Sequence, residues 1–116
     1  MKLSGRIFVG IGDQTRRQDL HPNLYLRACG YMPHLGSLNV KLGRPVDLAD
    51  LGPPSSTITV EGDRSFLWRV RVAGVDAPAH LMVFRTVPTV QLVELLSPVR
   101  LRDHLKRRVA FEVLPS

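Results

Sequence analysis

Apolar and polar residues alternate along much of this chain, and the pattern predicts a run of short strands. "SLNVKL" (37–42) sets Leu38, Val40 and Leu42 against Asn39 and Lys41, the period-2 signature of a half-buried strand. "GRIFVGIG" (5–12) begins as a strand and ends in a glycine-flanked loop. "TITVEGD" running into "RSFLWRVRVAGV" predicts a hairpin about the E-G-D turn, with Phe66, Trp68, Val70 and Val72 on one face and Leu67, Arg69 and Arg71 on the other. Trp68 is expected in the core. "HLMVFRTV" and "VQLVELL" are two further strands broken apart by Pro88, and "RRVAFEVL" is the last. One segment reads as a helix: in "LHPNLYLRACGY", Pro22 suits the first turn and Gly30 the position just past the end. "SPVRLRDHL" has room for a short helical turn. Five to seven strands and one helix, punctuated by nine glycines and nine prolines, predict a small mainly-β barrel formed as a single domain over residues 1–116.

Size and composition fit that expectation. A chain of 116 residues encloses a core without metal or disulfide support. The single cysteine, Cys29, sits among apolar neighbours and reads as a buried structural thiol in a reducing compartment. No apolar run approaches the roughly 20 residues of a membrane span, and "MKLSGRIFVG" is too short and strand-like for a secretory signal. The expectation is a soluble, cytoplasmic protein. The net charge is +6, carried mostly by thirteen arginines against three lysines. That excess suits a phosphate or carboxylate partner, a nucleic acid, or simply a basic solvated face.

Several chemistries are excluded by missing signatures. The chain has no G-x-x-x-x-G-K-[ST] phosphate loop, no kinase catalytic loop and no His/Cys set at zinc spacing. His21, His34, His80 and His104 are dispersed and read as surface or packing residues. Four weaker signals remain. In "VGIGD" (9–13), Gly10 and Gly12 form either a plain turn or a backbone cradle for an anion. Ser37 and Asn39 share the polar face of their strand, as a capped turn or as two neutral oxygens completing the shell of an ion carried by nucleotide phosphates. Glu94 lies in "VQLVELL" among apolar residues on both faces, so it needs a hydrogen-bonding partner, a cavity lip, or a route to water at a strand edge. In "SPVRLRD", Arg100 and Arg102 alternate with apolar residues and either grip a phosphate or face solvent.

The order of these motifs resembles the archaeal CTP-dependent riboflavin kinase family. "GRIFVGIGD", "CGYMPHLGSLN" and "RTVPTVQLVELLSPVRLRD" match in order and spacing that family's G-x-V-x-S-G-x-G-E-G opening, its L-G-F-x-P-x-x-G-T-L-N block and its E-I-I-A-P-x-x-L-R-E segment. The likeness covers nearly the whole chain, and G-[ST]-L-N is its most specific part. It implies a cradle-loop β-barrel of about six strands with one or two short helices. It implies transfer of the terminal phosphoryl group of CTP to the 5′-hydroxyl of riboflavin, giving FMN. The nucleotide would be held by Val9, Gly10, Ile11, Gly12 and Asp13, and by Val99, Arg100, Leu101 and Arg102. Mg²⁺ would be held by Ser37 and Asn39. The flavin side would use Thr86 and, eight residues on, Glu94, which anchors the ribityl chain and accepts the hydroxyl proton. The chain departs from the pattern at Gln14, where the family has glycine, in the basic "TRRQDL" that follows, and in a last strand that lacks the usual G-D turn. Two alternatives are a non-catalytic basic barrel that binds nucleic acid or a protein partner, and a kinase of the same site with another acceptor or nucleotide.

Overall fold

A computed structural model describes residues 1–10, 13–84 and 88–115 of the chain. Its elements are β1 (Lys2–Phe8), α1 (Gln14–Leu20), α2 (Pro22–Cys29), β2 (Leu38–Asp47), β3 (Ser56–Val60), β4 (Asp63–Val72), β5 (Ala79–Phe84), β6 (Thr89–Leu96) and β7 (Arg108–Val113). Single 3₁₀ turns lie at Leu48–Leu51 and Leu101–Asp103. The sheet order is β3-β4-β5-β6-β2-β1-β7, and β7 returns to β4 through Val70↔Val113, Arg71↔Glu112 and Val72↔Phe111. Six strands therefore close a ring and leave no open edge between β4 and β7, while β3 extends the other half of β4. The mainly-β barrel expected from the alternation is the observed fold.

Alternation sorts side chains to the two faces of the barrel wall. Inward-facing Val40, Trp68, Val70, Leu81, Val93, Leu95 and Phe111 fill the interior. Trp68 is in the core, as expected, and its indole N–H donates to the Gly52 carbonyl at 3.0 Å. A second apolar layer lies outside the wall. There Leu67, Met82 and Leu96 meet Ile58 and Val60 of β3 and Tyr25 and Cys29 of α2. Being covered on both sides, β5 is buried from Ala79 to Val83 and reads as an apolar run rather than an alternation.

The hairpin turn is two residues long, since Val60 pairs with Asp63. Glu61 (φ 52°) and Gly62 (φ 86°) both adopt the left-handed backbone that a type I′ turn requires. Pro22 opens α2, and Gly30 closes it with a left-handed cap whose N–H donates to Leu26 O at 2.8 Å. Both ends are where the sequence puts them. No helix among the described residues is long and apolar enough to cross a membrane.

The helix α1 is the second of the one or two short helices expected, and it forms over "TRRQDL", which the sequence reading met only as a basic departure from the family pattern. It carries no apolar stripe. Its inward positions are Gln14 and Gln18, four residues apart, and both are buried. Polar bonds dock it instead. Arg16 bridges Asp13 and Glu61, Arg17 reaches Asp63 at 2.7 Å, and Gln18 accepts from the Gly36 N–H at 2.5 Å. The helix is thereby fixed to the hairpin turn and to the loop that enters β2.

Under the second apolar layer, the Tyr31 hydroxyl donates to Leu96 O at 3.1 Å and lies 2.8 Å from His80 Nδ1, which that order makes the donor. His80 is 4% exposed. Burial, with a smaller repulsion from Arg69, pulls its pKa down to about 4. Unfolded, the same ring titrates near 6.5, so between those values only the unfolded chain is protonated. The contribution is present in full above pH 6.5 and lost as pH falls toward 4, amounting to about 3 kcal/mol. Urea unfolding at pH 7 and pH 4 should show this loss in the parent chain and much less of it in His80→Gln. Equal slopes in the two proteins would remove His80 as the cause. Cys29 is buried, as expected, and burial pushes its thiol up to about 12.

Candidate active site

Register brings two of the sequence-predicted residues, Asn39 and Glu94, into one row that crosses four strands. Phe8 of β1 pairs with Asn39 of β2, Asn39 with Glu94 of β6, and Glu94 with Met82 of β5. All four side chains lie on the outer face of the barrel wall, and Asn39 and Glu94 line a hollow together with Gln14 and Arg17 of α1. Val93 and Leu95 take the inner face. Glu94 is thus the polar member of an otherwise apolar stretch because its face is covered by a helix that is itself polar.

The carboxylate has the partner that its burial demands. Ser37 Oγ donates to Glu94 Oε1 at 2.5 Å. Burial pushes the Glu94 pKa up, and the Ser37 bond and the Arg17 charge hold it back only in part. Glu94 thus sits directly opposite Asn39 in the next strand and is bonded by Ser37, the residue just before β2. Oxygens from these three side chains form a hard donor set of the kind that suits Mg²⁺. Among the described residues, no three His, Cys, Asp or Glu side chains gather into a metal cage. An ion here would take most of its ligands from elsewhere, as one carried by phosphates does.

Two hollows open on this row and a third lies beside it. One of about 250 Å³ is walled by Phe8, Gly10, Asn39, Met82, Phe84, Leu92 and Glu94. A second, of about 150 Å³, shares Asn39, Phe84 and Glu94 with it and adds Asp13, Gln14 and Arg17. The third, of about 190 Å³, runs from Gly36 and Ser37 to Val99, Arg100, Leu101 and Arg102; it shares no lining residue with the other two, and the Ser37–Glu94 bond links its wall to theirs. Arg102 donates to the Phe8 carbonyl at 3.1 Å, which ties the 3₁₀ turn to the end of β1 where the glycine loop begins. The order of "SPVRL" is set by Ser97, whose hydroxyl donates to Pro78 O at 2.8 Å and accepts from the Val99 N–H.

The remaining expected residues fall as follows. Val9 is 81% exposed beside Gly10. Asp13 precedes α1 and makes ion pairs with Arg16 and Arg17. Arg100 is exposed near Asp103, whereas Leu101 packs into the core. Ile11, Gly12 and Thr86 lie outside the described residues. The sequence reading did not single out Arg17, whose guanidinium lies 5.6 Å above the Phe84 ring, or Phe84 itself, and it met Gln14 only as a departure. The four-residue spacing of two glutamines in "QTRRQ" is the signal that points to a polar, inward helix face.

No protein-family model matches the chain. Two curated proteins are similar to it over about nine-tenths of its length. A riboflavin kinase of Pyrobaculum calidifontis is 33% identical over 90% of this chain and 54% of its own. A riboflavin kinase of Pyrococcus abyssi is 29% identical over 89% of this chain and 52% of its own. The chain spans about half the length of these relatives.

Proposed function

We propose that the chain is a member of the archaeal riboflavin kinase family, as its likeness to two such enzymes over about half of their length supports, and that it phosphorylates riboflavin at the 5′-hydroxyl, with CTP as donor and Mg²⁺ as the required ion. The observation that carries this reading is the row Phe8–Asn39–Glu94–Met82 with the Ser37 hydroxyl on Glu94. It sets a half-buried carboxylate between neutral oxygens and an apolar wall, in a hollow that Gly10 helps to line, and Ser37 reaches it from the edge of the neighbouring hollow that holds two arginines.

Phosphoryl transfer asks a protein for in-line positioning and for neutral surroundings around developing charge. Backbone N–H groups of the loop beginning at Val9 and Gly10 would cradle the phosphates, with Ile11 and Gly12 extending the cradle as in the family pattern. Arg100 and Arg102 add positive charge from the 3₁₀ turn. Ser37 and Asn39 would hold Mg²⁺, which when bound neutralises the phosphate oxygens. The flavin ring would rest on Phe8, Met82 and Phe84. Glu94 receives the Ser37 proton donor on Oε1 and keeps Oε2 for the acceptor hydroxyl, with Thr86 assisting. As the hydroxyl oxygen bonds to the terminal phosphorus, the bridging P–O bond breaks, CDP leaves and the hydroxyl proton passes to Glu94. The raised pKa of this carboxyl makes it a better proton acceptor than an exposed one.

A thermal-shift panel of CTP, ATP, GTP, riboflavin and FMN, with and without Mg²⁺, tests the assignment, because only ligands of the folded state raise the midpoint. CTP with Mg²⁺ and riboflavin are expected to raise it, and Asn39→Ala to abolish the metal-dependent part. A chain stabilised by DNA and by none of the panel would be a basic module instead. One observation favours that second reading. Arg108, Arg6 and Lys41 stand opposite one another across β7, β1 and β2, all exposed, an arrangement of like charges that is unfavourable unless an anion offsets it.

A further inference from the structure

Gln14 is 4% exposed, and both atoms of its side-chain amide are buried without a hydrogen-bond partner among the described residues. Burying an amide in this state is costly, and native proteins rarely tolerate it without a use. One turn later, Gln18 shows what a structural glutamine does in the same setting. Its Oε1 accepts from Gly36 N–H at 2.5 Å and its Nε2 reaches His34 O at 3.4 Å. Gln14 differs in place as well as in bonding, since it forms part of the wall of the hollow that also holds Asn39, Arg17, Phe84 and Glu94. The Tyr25 hydroxyl lies close enough to feel the amide but not in hydrogen-bonding geometry.

We propose that Gln14 binds the polyol chain of the acceptor, its amide turning into the hollow to bond a ribityl hydroxyl. This rests on the acceptor assigned above. A primary amide offers both donors and an acceptor, and a hydroxyl needs one of each. Glu94 beside it only accepts, and Arg17 only donates, so neither satisfies a hydroxyl in both directions. The rotation that brings the amide to the ligand gives up no more than the loose contact with the Tyr25 hydroxyl, so most of the cost of leaving it unpaired has already been met in the free protein. Gln14 is thus a specificity-determining residue for acceptors that carry a hydroxylated chain.

The test compares the full chain with Gln14→Met, which keeps length and helix propensity but removes the amide, by fluorescence titration with riboflavin and with lumiflavin, which has the ring and no polyol. Riboflavin affinity is expected to fall about tenfold in the variant. Lumiflavin affinity is expected to match the parent, and the unfolding midpoint without ligand to rise by about 3 °C as two buried unpaired atoms are lost. Tyr25→Phe should leave the riboflavin-to-lumiflavin ratio unchanged. Equal riboflavin affinity in Gln14→Met overturns the proposal. So does an equal loss for lumiflavin, a lowered midpoint, or a Tyr25→Phe variant that copies Gln14→Met. A parent chain that binds riboflavin while Gln14→Met binds it equally well sinks this inference alone, whereas a parent that binds no riboflavin sinks the acceptor assignment with it.

Discussion

Glu94→Gln is expected to lower the rate of riboflavin phosphorylation by about 10²-fold or more, the usual effect of losing a positioned proton acceptor. The amide keeps the shape of the carboxyl and still accepts from Ser37 through Oε1. What disappears is the negative charge proposed to bind the acceptor hydroxyl and take its proton. The pH profile separates these roles from general damage. Glu94 is protonated below its raised pKa, so log kcat/KM in the parent should climb with unit slope as pH rises through that value and then level. The variant should show no such limb.

Stability should move the other way. A carboxyl whose folded pKa lies above its unfolded one disfavours folding wherever it is ionised, and that penalty fades as pH falls through the folded pKa. Removing the charge should therefore raise the unfolding midpoint at neutral pH. A variant that is more stable yet nearly inactive marks a residue retained for chemistry. Full activity in Glu94→Gln would end the assignment of Glu94 as proton acceptor.

The barrel was legible in the chain because its strands alternate and its turns are chemically marked. Glu61-Gly62 marks the hairpin and Pro22 and Gly30 bound α2. Even Glu94 was visible, as a charge in an apolar strand. What could not be read was which face of β6 the carboxylate takes, since Val93 and Leu95 are as apolar as Leu92 and Leu96. That is decided by α1, a helix whose docking uses ion pairs and amides and leaves no hydrophobic period. The contributions of Arg17, Phe84 and Gln14 follow from α1 and stayed hidden with it. Joining Arg102 to the end of β1 is likewise a matter of closure between segments more than ninety residues apart, which no local pattern encodes.

Gly10→Ala carries the second large expectation. A Cβ built on Gly10 would overlap the side-chain amide of Asn39. The obstacle is the end of a side chain and not a backbone carbonyl, so the fold should survive and Asn39 should turn away. If Asn39 holds the ion as proposed, displacing it costs about 10–100-fold in metal-dependent affinity, and Mg²⁺-dependent CTP binding should weaken by that factor while the unfolding midpoint without ligand changes little. The mechanism has a sharper consequence. In an Asn39→Ala background the three atoms nearest the added methyl group are gone, so Gly10→Ala should have much less further effect there, and the two substitutions should be far from additive. Isothermal titration of the parent, both single variants and the double variant completes the cycle. A Gly10→Ala effect of the same size with or without Asn39 would mean that the glycine serves the loop backbone itself, and the pairing of Gly10 with Asn39 would lose its role in holding the nucleotide.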